Sequence, residues 1–223
     1  MCYQTRIVKK KSEIKTNFKL DISELDLFEC SETIKAFDFP KTPVITNTEP
    51  NKAQLFNWGL IPSWTQDTSI RNYTLNARIE TLHEKDSFKN NLKNRCLVIA
   101  DGFYEWKWSN KSGTKKEKHL ITLPNNELFA FAGIYASWKN PNGEIIQSYS
   151  IITTEANPLM STIHNTKKRM PVILKPEDEA TWLQGEDHHY FKYPYTRELS
   201  ALNLDIDQNQ MSFFESMSFY KSG

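Results

Sequence analysis

The residue with the most distinctive chemistry in this sequence is its second, in Met1-Cys2-Tyr3. Clipping of the initiator methionine, which small second residues permit, would leave Cys2 with a free α-amine and a thiol on adjacent carbons. No internal cysteine offers that 1,2-aminothiol, because its nitrogen is held in a peptide bond. Toward an aldehyde, the amine forms an imine and the thiol closes a five-membered thiazolidine ring. Reference pKa values of about 7.7–8.0 for the amine and about 8.5 for the thiol leave useful fractions of both nucleophiles near neutral pH. The plainer alternative is a small buried hydrophobe that happens to follow the start.

Four further segments carry polar groups that could serve such a reaction. In Asn76-Ala77-Arg78-Ile79-Glu80-Thr81, the amide of Asn76 could orient a reacting group and the fork of Arg78 could hold a phosphate. An extended backbone would point both to one face; a solvated surface turn is the alternative. In Asp101-Gly102-Phe103-Tyr104-Glu105-Trp106-Lys107-Trp108, strand alternation puts Glu105 on the face of Phe103. Partial desolvation there would raise its pKa toward the range useful for general acid–base work, whereas a half-exposed strand would leave it facing water. His164, before Lys167-Lys168-Arg169, could shuttle protons while the cations steer an anionic polymer, or could simply cap a helix. Trp58-Gly59-Leu60-Ile61-Pro62-Ser63-Trp64 describes a rigid aromatic turn able to stack on bases, and core packing explains it as well.

The elements that must position these groups are mostly strands. Arg95–Ala100, Gly102–Trp108, Lys118–Leu123, Leu128–Trp138 and Ile145–Thr154 alternate or run apolar between turn signals such as Ser112-Gly113 and Asn142-Gly143. Shorter strands are expected at Val44–Thr46, Leu55–Leu60 and Pro171–Leu174. Helices are expected over 12–20 with Ser12 as N-cap, over 86–94, over Leu159–His164, and from Pro176, whose acidic first turn suits the helix dipole. Residues 30–54 otherwise read as irregular, and no repeat or linker divides the chain. The pattern predicts one α+β domain with a mostly antiparallel sheet over residues 1–223.

Composition narrows the functional classes. A chain of 223 residues is long enough to bury a real core, and 39% hydrophobic with 25% charged residues is ordinary for a globular protein. The net charge of +1 excludes a polycation, so any nucleic-acid contact must come from a local patch. The runs Lys9-Lys10-Lys11 and Lys115-Lys116 with Lys118 read as solvated loops. Three cysteines without a Cys-x-x-Cys pair argue against a disulfide framework or a zinc site. No stretch approaches a membrane span or a signal peptide, so a reducing cytoplasmic setting is expected.

Taken together and in this order, the motifs resemble the SRAP family, the SOS response-associated peptidases, also known as abasic-site processing proteins. The resemblance rests on Cys2, the Trp-Gly-Leu-Ile-Pro-x-Trp turn, Asn76-Ala-Arg-x-Glu-Thr, Asp101-Gly-Phe-Tyr-Glu-Trp and the His164 segment ending Arg-Met-Pro-Val-Ile-Leu. It implies an α+β domain with a curved, barrel-like sheet flanked by short helices, acting as a monomer without metal or cofactor. The implied partner is single-stranded DNA carrying an abasic site, and the implied product is a thiazolidine crosslink with associated lyase and reversal activity. By position, Cys2 would be the nucleophile, Asn76 would place the sugar, Glu105 would act as acid–base, and His164 would move protons. Arg78 would bind phosphate, and Trp58 and Trp64 would line the DNA groove. Two features depart from the family pattern: Tyr3-Gln4 stands where Gly-Arg is common, and the link from His164 to Arg169 is longer than His-x-Arg. Arg6 could replace the missing arginine if it shares the face of position 4. A cysteine peptidase and a non-covalent single-strand binder are the competing readings, the first disfavoured by the lack of an oxyanion-hole signature.

Overall fold

The computed structural model describes residues 2–205; Met1 and residues 206–223 of the expected domain lie outside the described residues. Twelve strands alternate with three short helices in it. In chain order the strands are β1 Gln4–Ile7, β2 Ser31–Lys35, β3 Lys41–Thr46, β4 Ala53–Trp58, β5 Asn76–Arg78, β6 Arg95–Ala100, β7 Gly102–Trp108, β8 Lys116–Thr122, β9 Phe129–Lys139, β10 Ile145–Glu155, β11 Arg169–Pro171 and β12 Ser200–Asn203. The helices are α1 Lys11–Phe18, α2 Pro158–Ile163 and α3 Glu179–Leu183.

The strands form two sheets. One runs β12-β8-β7-β1-β2, antiparallel throughout. In the other, β10-β4-β3-β6-β9 closes on itself because β9 also pairs with β10, giving a five-stranded barrel. β5 and β11 extend this sheet from β10. The α+β, mostly antiparallel, barrel-like expectation is met, with two parallel pairings, β10 with β4 and with β5. Small residues let the barrel close tightly. A Cβ on Gly133 in β9 would lie 2.8 Å from the Cys96 sulfur and 2.9 Å from Val98 on neighbouring β6. Trp182 fastens α3 to the same region, its indole N–H donating to the carbonyls of Cys96 (3.1 Å) and Gly133 (3.3 Å).

The strands richest in aromatic and β-branched residues follow the sequence closely, and β6 and β7 match it to the residue. Other expectations need correction. Residues 86–94 form turns with one 3₁₀ turn at Lys89–Asn91, not a helix. Ser87, Asn90, Asn91 and Asn94 offer side chains that compete with helical backbone bonds, and so short a segment cannot repay its nucleation. Helix α1 starts one residue before Ser12, where the Glu13 carboxylate accepts from the Lys10 N–H at 2.8 Å. Residues 31–35, expected to be irregular, are the edge strand β2, and residues 200–203 form the edge strand β12; both borrow their order from a partner strand. Among the described residues, no helix is long and apolar enough to cross a membrane.

One buried carboxylate holds the N-terminal strand in place. Asp101 is fully buried between β6 and β7; its Oδ1 accepts from Arg6 Nε (2.8 Å), and its Oδ2 accepts from the backbone N–H groups of Val8 (2.6 Å) and Lys9 (2.9 Å). Arg6 is thereby committed to the β1–β7 junction, with Glu32 at 3.9 Å, and does not replace an arginine at position 4. Removing this carboxylate strands a largely buried cation and two amide donors. Asp101→Ala should therefore lower the unfolding free energy by about 3–5 kcal/mol in urea titrations. A loss below about 1 kcal/mol would show that β1 is held by its ladder alone.

Candidate active site

Strand β1 delivers Cys2 to the junction of the two sheets. It lies between β2 and β7, with Thr5 opposite Phe103 and Gln4 opposite Lys35. Cys2 is fully buried, and its thiol points to the Gln4 carbonyl at 3.9 Å. Burial and, next, the nearby Glu105 carboxylate push the thiol well above its usual range, so it is held protonated.

Asn76 reaches the same residue from the other sheet. Its Nδ2 donates to the Cys2 carbonyl at 2.8 Å. Strand β5, parallel to β10 with Asn76 opposite Ile151 and Arg78 opposite Thr153, fixes that direction. The amide oxygen of Asn76 is buried and has no partner among the described residues, leaving an acceptor for a hydroxyl donor. Arg78 lies two residues on, on the same face and exposed, as the extended reading requires.

Glu105 comes from β7, beside β1. It is only 4% exposed, which removes the solvent-facing alternative. Burial raises its pKa to about 7, so near neutral pH it exists as comparable populations of acid and base. Strand alternation places it with Phe103, which is completely buried against Phe131.

His164 caps α2 and is held by the chain that follows. Asn157 caps the other end of this helix, accepting from the Met160 N–H at 2.8 Å. Nδ1 of His164 lies 2.8 Å from the Arg169 carbonyl and 3.3 Å from the Arg169 N–H; the shorter contact favours a proton on Nδ1, with the lone pair on Nε2. Burial, reinforced by the charges of Lys167 and Arg169, lowers its pKa to about 4 and keeps the ring neutral. Arg169 itself grips Glu80 through two 2.8 Å bonds and the Thr153 carbonyl at 2.7 Å. The longer His164–Arg169 link thus leaves Arg169 as the brace that presents its own carbonyl to His164.

Glu105 and His164 border a cavity of about 300 Å³ lined also by Tyr3, Trp106, Trp108 and Lys167, among others; Cys2, Asn76 and Arg78 are not in its lining. Lys116 also lines it and sits 5.3 Å from the Trp108 ring, while Lys118 lies 4.2 Å from the Tyr104 ring. Of this run, expected to be a solvated loop apart from the strand predicted from Lys118, Lys116 also belongs to β8, and Lys116 and Lys118 put cations over aromatic faces. Alternation along β7 and β8 is the signal that could have located it. The two tryptophans of the Trp58–Trp64 turn part company. Trp64 is 53% exposed, its indole N–H donating to the Asp86 carbonyl at 3.3 Å. Trp58 is fully buried, stacked on Tyr149 at 6.2 Å and bonded to the Leu75 carbonyl at 2.8 Å. With no exposed face, Trp58 supports the sheet beneath β5 rather than a base, which corrects its expected place in a DNA groove. Gly59 turns the chain between them at φ +107°, where a Cβ would fall 2.9 Å from Arg71.

Comparison with known proteins shows the family. The sequence matches the family model described as SOS response associated peptidase (SRAP) over residues 1–210. It is 44% identical over 182 residues to the abasic site processing protein YoqW of Bacillus subtilis (strain 168), covering 80% of this chain and 75% of that one. It is 37% identical over 180 residues to the abasic site processing protein YoaM of the same strain, covering 80% and 74%. The crystal structure of a protein from Bacteroides thetaiotaomicron superposes with a TM-score of 0.83 at 33% identity over 91% of both chains. The chain belongs to the SRAP family.

Proposed function

We propose that this chain, once it begins at Cys2, recognises abasic sites in single-stranded DNA and captures them as a thiazolidine crosslink. The observation that carries the reading is the convergence on one residue: the Asn76 amide on the Cys2 carbonyl, and the buried Glu105 poised near neutrality beside the thiol. The names of the Bacillus relatives, abasic site processing proteins, support the substrate.

The reaction order follows from protonation states. The α-amine attacks the ring-opened aldehyde, and protonated Glu105 gives its proton to the carbinolamine hydroxyl, which leaves as water. The carboxylate so formed then takes the Cys2 proton, and the sulfur attacks the imine carbon to close the ring. The protonated imine keeps its N–H as the thiolate adds, so aldehyde and aminothiol become thiazolidine and water, and Glu105, having given one proton and taken one, ends protonated as it began. The Asn76 carbonyl oxygen would accept from a sugar hydroxyl, Arg78 would hold a phosphate, and Trp64 would offer a stacking face. His164, with Nε2 as base, suits proton removal in strand-cleaving elimination or crosslink reversal. A peptidase thiol, by contrast, needs neighbours that lower its pKa; here burial and Glu105 raise it.

Incubation with uracil-containing single strands pretreated with a glycosylase should give a heat-stable adduct, absent in Cys2→Ala. Equal crosslinking by Cys2→Ala would refute the proposal, and salt-sensitive binding with no adduct would favour the non-covalent binder.

Glu105→Gln should slow adduct formation by about 10²-fold while leaving DNA affinity unchanged. It should also stabilise the fold. The native pKa of about 7 exceeds the unfolded value, so the native state holds more protons between them and loses stability as pH rises through that window. The glutamine variant should gain on the order of 3 kcal/mol at about pH 8 and nothing near pH 4, read from urea titrations. A loss of both DNA affinity and stability at high pH would make Glu105 a structural residue.

A further inference from the structure

Beyond the groove, the ring of His83 meets those of the adjacent pair His188 and His189, which share the carboxylate of Asp187. His188 and His189 open the 3₁₀ turn His188–Phe191, and His83 follows the 3₁₀ turn Ile79–Thr81 that continues β5. The rings of His188 and His189 lie 4.3 Å apart, and that of His83 lies 6.2 Å and 6.3 Å from them. Asp187 places Oδ1 3.0 Å from Nδ1 of His189 and 3.7 Å from Nδ1 of His188. One ligand atom from each of Asp187, His188 and His189 falls within 4.8 Å of the other two.

Asp187 Oδ1 accepts from the His189 backbone N–H at 2.9 Å and lies at hydrogen-bond distance from His189 Nδ1, and the same spacings also suit a metal. Ligands at about 2.0–2.2 Å in a tetrahedron stand about 3.3–3.5 Å apart, between the two measured values. The His188 side chain is only 14% exposed, its buried Nε2 has no hydrogen-bond partner among the described residues, and its Nδ1 faces Asp187 at 3.7 Å, too long for a hydrogen bond. A mostly buried imidazole left this way lacks a partner. His83 is half exposed and close to Glu84 at 3.6 Å, and its ring, 6.2 and 6.3 Å from those of His188 and His189, would have to move inward to join the ligand set. Arg95 and Lys192 are the cations that act on this corner, and Asp187 opposes them.

We propose that Asp187, His188, His189 and His83 form a binding site for a divalent transition-metal ion such as zinc, separate from the crosslinking centre. Imidazole and carboxylate donors are those that zinc accepts. The ion would clamp the turn after β5, which carries Asn76 and Arg78, to the segment packed on α3. Its role would be structural, and the proposal stands whatever reaction the groove performs.

The test uses the full chain with Cys2→Ala and Cys30→Ser, so that no reactive or exposed thiol takes up metal. Calorimetric titration with zinc chloride should show one ion per chain and a rise in Tm. His189→Ala and His83→Ala alter half-exposed side chains, and each should weaken binding at least tenfold and abolish the Tm rise, with unchanged circular dichroism. Absence of saturable binding, or affinity unchanged in either variant, would overturn the proposal and leave an adventitious ion only.

Discussion

The site depends on one contact between the sheets, the Asn76 amide donating to the Cys2 carbonyl. The neighbours of Cys2 must hold that residue in place. Here the tie is double. The backbone of β1 is stitched to β2 and β7, and Asp101 fixes the chain just beyond, at Arg6, Val8 and Lys9. The carbonyl of Cys2 then needs only one donor from the barrel side to define where its sulfur and nitrogen lie. That donor is carried by a three-residue strand whose register is set by β10.

The same burial that positions the site determines its electrostatics. Glu105 and His164 are both nearly inaccessible, and in each case desolvation favours the neutral form: it raises the acid and lowers the base. The result is a carboxyl that can release or accept a proton near neutrality, and an imidazole that stays uncharged beside Lys167 and Arg169. Both choices cost native stability, as expected where function sets the environment. Arg169 is bound to Glu80 and Thr153 and supports the histidine through its backbone. Side-chain bracing of that kind lets a longer loop still deliver His164.

Much of this was legible in the sequence. Alternation placed Asn76 with Arg78 and Glu105 with Phe103, and the β-branched and aromatic runs of β6 and β7 marked their own limits. What stayed hidden depends on distant partners. Edge strands β2 and β12 have weak propensity and exist through the neighbours they pair with. Trp58 and Trp64 share one motif, and only the positive φ of Gly59 and the packing on Tyr149 send one inward and the other outward. Lys116 and Lys118 look like loop cations until β8 lays them over the aromatic rings of β7. The meeting of His83 with His188 and His189 has no local signal at all.

The central claim is that the reactive group is the aminothiol of a chain beginning at Cys2. Intact mass spectrometry after mixing with abasic single-stranded DNA tests it most directly, using one preparation that begins at Cys2 and one that retains Met1. The first should gain the mass of the oligonucleotide less one water, with the modification on the N-terminal peptide, and the second should gain nothing. An adduct of equal yield on the Met1-bearing chain, or one placed on another residue, would contradict the account.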